Sequence, residues 1–333
     1  HEDLLPYLVR RLLENGANSS FVNRITDESL PAADLVADPV AVASAFESKP
    51  HPRIPMPRAL FRAAGEDRTN SMGANLANDD TLATLAREMN AALAPVSATP
   101  LVPGAKPAGD KVKVSNPADR REVVGEYTNA DAATVELAIA NAVAAQPGWD
   151  KMPAASRARI LEHAADLLEQ RMGAFMAICV KEAGKSIASS VGEVREAVDF
   201  LRYYAAQVQS TFDNATHIPL GPVACISPWN FPLAIFMGQV AAALAAGNPV
   251  LAKPAEQTPL IAAEAVRLLW QAGVPRAAVQ LLPGQGETVG ARLIGDARVM
   301  GVMFTGSTEV ARILQRTVAG RLDAAGRPIP LIA

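Results

Sequence analysis

The segment 223–259 constrains the fold more than any other part of the chain, because its apolar runs and turn residues allow few arrangements. Residues 223–226 form a short apolar run without polar alternation, typical of a strand buried on both faces. Residues 233–246 are small or apolar and end at Gly247, which predicts a buried helix. A second apolar strand covers 250–252. Strand, helix and strand in this order predict a right-handed βαβ crossover.

The same alternation continues towards the end of the chain. Helices and strands of similar length are predicted over 259–272, 279–282, 287–294 and 299–304. Repeated β-α pairs of this kind indicate an α/β fold with a doubly wound parallel sheet, Rossmann-like, over about residues 220–333. The usual GxGxxG motif is absent, and the glycines at 284, 286 and 290 could equally serve only to make a turn.

Two polar side chains follow the strands of the βαβ unit directly. Asn230 lies in the turn after the first strand, and Lys253 ends the second. In open parallel sheets, ligands bind in the crevice beyond the carboxyl ends of the strands, where both residues fall. Two ordinary explanations remain open on spacing alone: an asparagine that only forms a turn, and a lysine that is only solvated.

Four motifs favour a ligand-binding role for Asn230 and Lys253 over these ordinary explanations. They are ISPWNFPL at 226–233, AKPAEQTP at 252–259, PGQGETVG at 283–290 and FTGSTEV at 304–310. In this order they resemble the consecutive signatures of the aldehyde dehydrogenase superfamily. The resemblance implies an NAD site and no metal. The cofactor-binding residues that it implies are Ile226, Ser227, Trp229, Lys253, Glu256, Gly286, Gly290, Thr305, Gly306, Ser307 and Val310.

Individual roles follow from the same resemblance. Lys253 and Glu256 would bind the hydroxyls of the adenosine ribose, and Glu256 would repel a 2′-phosphate, which favours NAD over NADP. Ser307, at a helix N-terminus, would meet the pyrophosphate. Val310 would pack on the adenine side. Asn230 would donate its amide N–H to the oxyanion formed when a thiolate attacks an aldehyde, a contribution of about 3 kcal/mol.

The N-terminal residues 4–25 carry a different signal. Leucines recur there at helical spacing, and Tyr7, Arg10 and Arg11 fall within one turn. Two guanidinium groups beside a phenol can hold a carboxylate, although a solvated basic helix face is the ordinary explanation. The segment resembles the last helix of the (βα)8 barrel of proline dehydrogenases, in which a Tyr-x-x-Arg-Arg motif holds the carboxylate of proline beside the flavin.

A proline dehydrogenase end followed by an aldehyde dehydrogenase is the order found in the bifunctional proline utilization A family. This resemblance implies one site that oxidises proline with FAD and a second that oxidises glutamate γ-semialdehyde to glutamate with NAD. It also implies a homo-oligomer in the cytoplasm, and leaves open a peripheral position at the inner membrane with electron transfer to quinone. A monofunctional aldehyde dehydrogenase with an N-terminal extension and a truncated, non-catalytic nucleotide-binding module are the alternatives.

The predicted organisation has three parts: a barrel end at 1–25, a connector and module start at 26–110, and the dehydrogenase module at 111–333. In the connector, Asp79 and Asp80 are predicted to cap a helix that reaches residue 93, and 95–107 is predicted to be loop. Strands are predicted from residue 111 and over 122–127, followed by helices over 131–146, 154–170, 172–182 and 193–211.

Charge and cysteine content narrow the class of protein. A net charge of -3 and a pI near 5.9 do not indicate a nucleic-acid-binding surface. The two cysteines, Cys179 and Cys225, have no metal-ligand spacing and lie in apolar runs, which suits reduced thiols in the cytosol. The nucleophilic Cys and the Glu of the family are expected after Ala333. We therefore expect the chain to be a piece of a longer protein, with an incomplete dehydrogenase fold and no activity of its own.

Overall fold

The chain divides into two units, residues 1–60 and 61–333. The computed structural model describes residues 9, 21–46, 51, 53–92, 96–106 and 108–333. The predicted carboxylate-binding residues Tyr7, Arg10 and Arg11 lie outside the described residues. The division falls inside the predicted connector, 26–110.

The described part of the first unit contains short helices. They are α1 (Phe21–Ile25), α2 (Ala32–Leu35), α3 (Pro39–Ser44) and a 3-10 turn at Pro57–Ala59. Asp38 caps α3, because its side chain accepts a hydrogen bond of 2.9 Å from the backbone N–H of Val40.

Two helices and a small sheet follow, and the first helix spans the boundary between the two units. These are α4 (Leu60–Ala63), α5 (Asp79–Ala91), β1 (Val96–Ala98), β2 (Lys111–Ser115) and β3 (Val123–Thr128). The two strands predicted here are confirmed as an antiparallel pair, β2 with β3. The predicted loop 95–107 is wrong at residues 96–98, which pair in parallel with β3. The predicted cap of α5 is also wrong: Asn78 accepts from Thr81 N at 2.9 Å, and Asp79 and Asp80 lie in the first turn.

Four long helices follow, and the last three form one helical layer. They are α6 (Ala132–Lys151) and, in the layer, α7 (Ala154–Gln170), α8 (Met172–Ala183) and α9 (Ile187–Thr211). Two predicted boundaries differ. The first helix continues past Pro147, and its last turn is held by the buried Trp149, whose Nε1 donates to Leu244 O at 3.1 Å. The fourth helix begins six residues before the predicted 193, because Ser186 caps it.

The remaining elements build the predicted doubly wound sheet. Its strands and helices are β4 (Val223–Ile226), α10 (Ala234–Ala245), β5 (Val250–Lys253), α11 (Pro259–Ala272), β6 (Val279–Leu281), α12 (Ala291–Gly295), β7 (Gly301–Phe304), α13 (Thr308–Ala319) and β8 (Leu331–Ile332). All neighbours pair in parallel in the order β6-β5-β4-β7-β8. The helix predicted over 287–294 is instead a π-helical turn, Gly286–Gly290, followed by α12.

Hydrophobic clusters pack on the sheet. Residues 223–225 of β4 and 250–252 of β5 alternate between a larger core and a second core, whereas Val302 and Phe304 of β7 join a third. On β4, Val223 and Cys225 join the larger core with α7 to α11, whereas Ala224 joins a second core with α6 and α12. On β5, Leu251 likewise faces the second core. Burial on both faces explains why residues 223–226 and 250–252 are all apolar. None of the described helices combines the length and the apolar character needed to cross a bilayer.

Candidate active site

A cleft of about 630 Å³ opens at the carboxyl ends of β4, β5 and β7. The turns that follow these strands form its walls. Eleven of the predicted site residues line it: Ile226, Ser227, Trp229, Asn230, Lys253, Glu256, Gly286, Thr305, Gly306, Ser307 and Val310. The cleft therefore lies where a parallel sheet of this order is expected to bind a ligand.

Lys253 and Glu256 form an ion pair at the end of β5. The ammonium lies 3.3 Å from Glu256 Oε2 and also donates to the backbone oxygen of Pro254 at 3.1 Å. The lysine is 3% exposed, and burial lowers its pKa below the usual value, while the carboxylates of Glu256 and Glu287 oppose that shift. A buried cation beside a half-exposed carboxylate presents a donor and an acceptor side by side, as a vicinal diol requires.

The turn after β4 presents Asn230 to the cleft. Asn230 is exposed, between Trp229, 56% exposed, and Phe231, 42% exposed. The turn is short, because α10 already begins at Ala234. Large apolar side chains left exposed around a single amide are unusual for a turn that only reverses the chain, and they suit a surface that packs on a ligand.

The turn after β7 leads into the N-terminus of α13. Ser307 caps the helix, with its hydroxyl oxygen accepting from Val310 N at 3.3 Å. Gly306 has no room for a side chain, since an added Cβ would lie 2.5 Å from Cζ of Phe304. Ser307 lines the cleft at the N-terminus of α13, where a hydroxyl group and the positive end of the helix dipole together favour an anion.

The two remaining glycines occupy different places. An added Cβ at Gly286 would meet nothing within 4 Å, so this glycine leaves open space in the cleft wall. Gly290 does not line the cleft: it is buried behind Lys253, with the Cδ of that lysine 3.9 Å from an added Cβ. The predicted contact of Gly290 with a cofactor remains a prediction.

Sequence reasoning missed Gln239, a buried residue beneath the cleft. Its Nε2 donates to Ile226 O at 3.3 Å and to Thr305 Oγ1 at 3.2 Å, so it ties the ends of β4 and β7 together. A single amide in the otherwise small or apolar helix α10 was the available signal, because a buried polar group needs a partner. Glu287 and Phe304 also line the cleft and were not predicted.

Neither cysteine can act as a nucleophile in the cleft. Cys179 and Cys225 are buried in the larger core, and burial raises the pKa of both thiols above the usual value. A buried neutral thiol is inert, as expected from the sequence. Among the residues that the structure describes, no three histidine, cysteine, aspartate or glutamate side chains are grouped as a metal ion would need.

Known proteins resemble the chain along its whole length. Residues 105–325 match the aldehyde dehydrogenase family, and residues 1–24 match proline dehydrogenase. The bifunctional protein PutA of Escherichia coli is 58% identical over 340 aligned residues, covering 100% of this chain and 26% of that protein. A 1-pyrroline-5-carboxylate dehydrogenase of Bacillus mycoides is 40% identical and covers 62% of this chain and 43% of its own length. The chain thus spans about a quarter of the PutA protein.

Solved structures agree with these sequence matches. Proline utilization A from Bdellovibrio bacteriovorus, inactivated by N-propargylglycine, has a TM-score of 0.80 at 28% identity, covering 98% of this chain and 34% of that one. The 1-pyrroline-5-carboxylate dehydrogenase from Thermus with bound NAD has a TM-score of 0.73 at 30% identity, covering 80% and 55%. With two thirds of its residues matched and the motif residues gathered in one cleft, the chain belongs to the aldehyde dehydrogenase family.

Proposed function

We propose that this chain is the NAD-binding part of a dehydrogenase that oxidises glutamate γ-semialdehyde to glutamate. We further propose that this dehydrogenase belongs to a bifunctional enzyme whose other site oxidises proline with FAD. The observation that carries the first proposal is the convergence of Lys253, Glu256, Ser307 and Asn230 on one cleft. The match of residues 1–24 to proline dehydrogenase supports the second, and favours it over a monofunctional aldehyde dehydrogenase.

The residues present fit NAD. The cleft volume of about 630 Å³ falls within the range of small-molecule sites, about 300–1,000 Å³. Lys253 and Glu256 would hold the adenosine ribose, and Ser307 with Gly306 would hold the pyrophosphate. Near Lys253, the two carboxylates of Glu256 and Glu287 oppose a 2′-phosphate, which favours NAD over NADP. When bound, NAD supplies the acceptor for the hydride that leaves the aldehyde carbon.

Asn230 would stabilise the reacting substrate. Its side-chain amide would donate to the oxygen of the aldehyde as negative charge develops there, the role of an oxyanion-hole donor. Trp229 and Phe231 would exclude water around it. Because both thiols of this chain are buried in the core, we expect it to bind NAD without oxidising an aldehyde.

Titration calorimetry of the 333-residue chain with NAD and with NADP tests the cofactor assignment. The wild-type chain should bind NAD more tightly. Glu256→Gln should weaken NAD binding about 10- to 100-fold, the worth of a hydrogen bond to a charged group, and should reduce discrimination against NADP. Glu136→Gln removes a carboxylate that pairs with Arg298 outside the cleft, and it should change neither affinity. Equal binding of NAD and NADP by the wild-type chain would contradict the assignment.

The reaction itself is tested on the full-length gene product. It should reduce NAD with glutamate γ-semialdehyde and should oxidise proline with a flavin-linked acceptor. Aldehyde oxidation without proline oxidation would support the monofunctional alternative, whereas NAD binding without either reaction would support a non-catalytic nucleotide-binding module.

A further inference from the structure

A buried carboxylate outside the cleft holds the helix that follows the Asn230 turn. Glu193, on α9, has a side chain 1% exposed. Its Oε2 accepts hydrogen bonds from Leu233 N at 3.2 Å and from Ala234 N at 2.9 Å. These are among the first backbone N–H groups of α10, which have no partner inside the helix. Glu193 therefore anchors the carboxyl-terminal end of the turn to a different helix.

The other oxygen of Glu193 faces a lysine that reaches the middle of the same turn. Lys185 Nζ lies 2.8 Å from Glu193 Oε1, as an ion pair rather than an aligned hydrogen bond. The same ammonium lies 4.4 Å from the centroid of the Phe231 ring, within cation-π distance. The lysine side chain is 17% exposed, so both contacts are largely shielded from solvent.

We propose that Lys185 and Glu193 are positioning residues that together fix the turn Trp229-Asn230-Phe231 and so aim the Asn230 amide. The inference rests on the oxyanion role proposed for Asn230. Glu193 holds the backbone just after the turn, and Lys185 holds the ring of Phe231 inside the turn. Asn230 directly precedes Phe231 in the sequence.

The exposure of the turn explains why it needs to be held by the Lys185–Glu193 pair, called the clamp below. Trp229 and Phe231 are 56% and 42% exposed, so packing alone holds them weakly. A hydrogen-bond donor is effective in catalysis only if it is already in position before the charge develops. A misplacement of about 1 Å can lower a rate about 100-fold. The clamp would supply this positioning from the helical layer, without occupying the cleft.

The chain offers a matched control in Glu182. This carboxylate, on α8, is also buried and accepts from two first-turn N–H groups, Leu260 N at 2.7 Å and Ile261 N at 2.9 Å. It anchors α11 instead of α10. Glu182→Gln and Glu193→Gln therefore remove the same kind of buried helix anchor, and only the second affects the Asn230 turn.

The experiment uses fluorine NMR of the 333-residue chain labelled with fluorotryptophan, with the Trp229 resonance assigned by Trp229→Phe. Glu193→Gln and Lys185→Met should shift and broaden this resonance, and Glu182→Gln should leave it unchanged. In the full-length protein, the first two variants should lower kcat about 10- to 100-fold with the KM for NAD within about twofold of wild type. The Glu182→Gln variant should keep the wild-type kcat.

An unchanged Trp229 resonance in Glu193→Gln, or equal effects of all three variants, would overturn the inference, since the carboxylate would then be only a structural anchor. The fluorine NMR result decides whether Glu193 positions the turn, even if the wild-type chain binds no NAD. A wild-type chain that binds no NAD would instead refute the proposed function.

Discussion

The buried carboxylate of Glu182 should make the stability of the chain depend on pH. Its side chain joins the end of α8 to the start of α11 and is almost fully removed from solvent. Burial raises the pKa of Glu182 from 4.5 to about 8, and the two backbone N–H donors act in the opposite direction. Desolvation of the charged form is the larger effect.

The size and sign of the effect follow from this pKa. As the pH rises from 4.5 to about 8, the unfolded chain releases the proton while the folded chain keeps it. The contribution of Glu182 to stability is therefore greatest below pH 4.5, and it is lost as the pH rises towards 8. Each pH unit corresponds to about 1.4 kcal/mol, so the loss between pH 5 and pH 8 is about 4 kcal/mol.

Urea unfolding at pH 5, 6, 7 and 8 measures this loss. All three tryptophans lie in the unit 61–333, so their fluorescence reports its unfolding. The free energy of unfolding of the wild type should fall relative to that of Glu182→Gln by about 1.4 kcal/mol per pH unit. Parallel pH profiles for the two proteins would refute the reasoning, because they would mean that the helix N-terminus keeps Glu182 ionised at all these pH values.

Two further substitutions test the cleft and the helical layer. Gly286→Ala places a methyl group where nothing lies within 4 Å, so the urea midpoint should stay within error of wild type while NAD affinity, measured by calorimetry, falls at least about tenfold. Unchanged affinity would remove Gly286 from the site. Arg202→Met breaks the buried ion pair with Glu169, 2.8 Å apart, and should cost about 3–5 kcal/mol in the same urea assay. A cost below about 1 kcal/mol would mean that Glu169 is compensated without the arginine.

The strands of the large sheet could be predicted because the residues of each strand and of its adjoining turns carry the signal themselves. Residues 223–226 and 250–252 are apolar throughout, since both faces of the sheet are covered, and proline or glycine lies close to the ends of these runs. The cleft followed from the same alternation, because the turns of a parallel sheet open at its carboxyl edge. The roles of single residues came from the family resemblance instead.

The contacts that hold the turns in place could not be predicted, because they join residues far apart in the sequence. Glu193 and Leu233 are separated by 40 positions, and Glu182 and Leu260 by 78. Each glutamate looks like an ordinary charged residue in an amphipathic helix. Strand β1 was missed for a similar reason: three residues between prolines carry little local signal, and pairing with β3 decides their structure.

Glu193 and Glu182 also explain why the usual GxGxxG motif is absent. In the usual dinucleotide fold, a glycine-rich turn brings the pyrophosphate to the N-terminus of the helix after the first strand. Here Glu193 already occupies two first-turn N–H groups of α10, and Glu182 does the same at α11. A phosphate at either helix would find these N–H groups already occupied, and at α10 it would also meet the buried carboxylate of Glu193. The N-terminus of α13 carries its own Ser307 cap and no acidic side chain from another described helix, which leaves it suited to the pyrophosphate of the proposed NAD. Acidic side chains at the N-termini of α10 and α11 thus favour α13 as the place for the anion of the proposed cofactor.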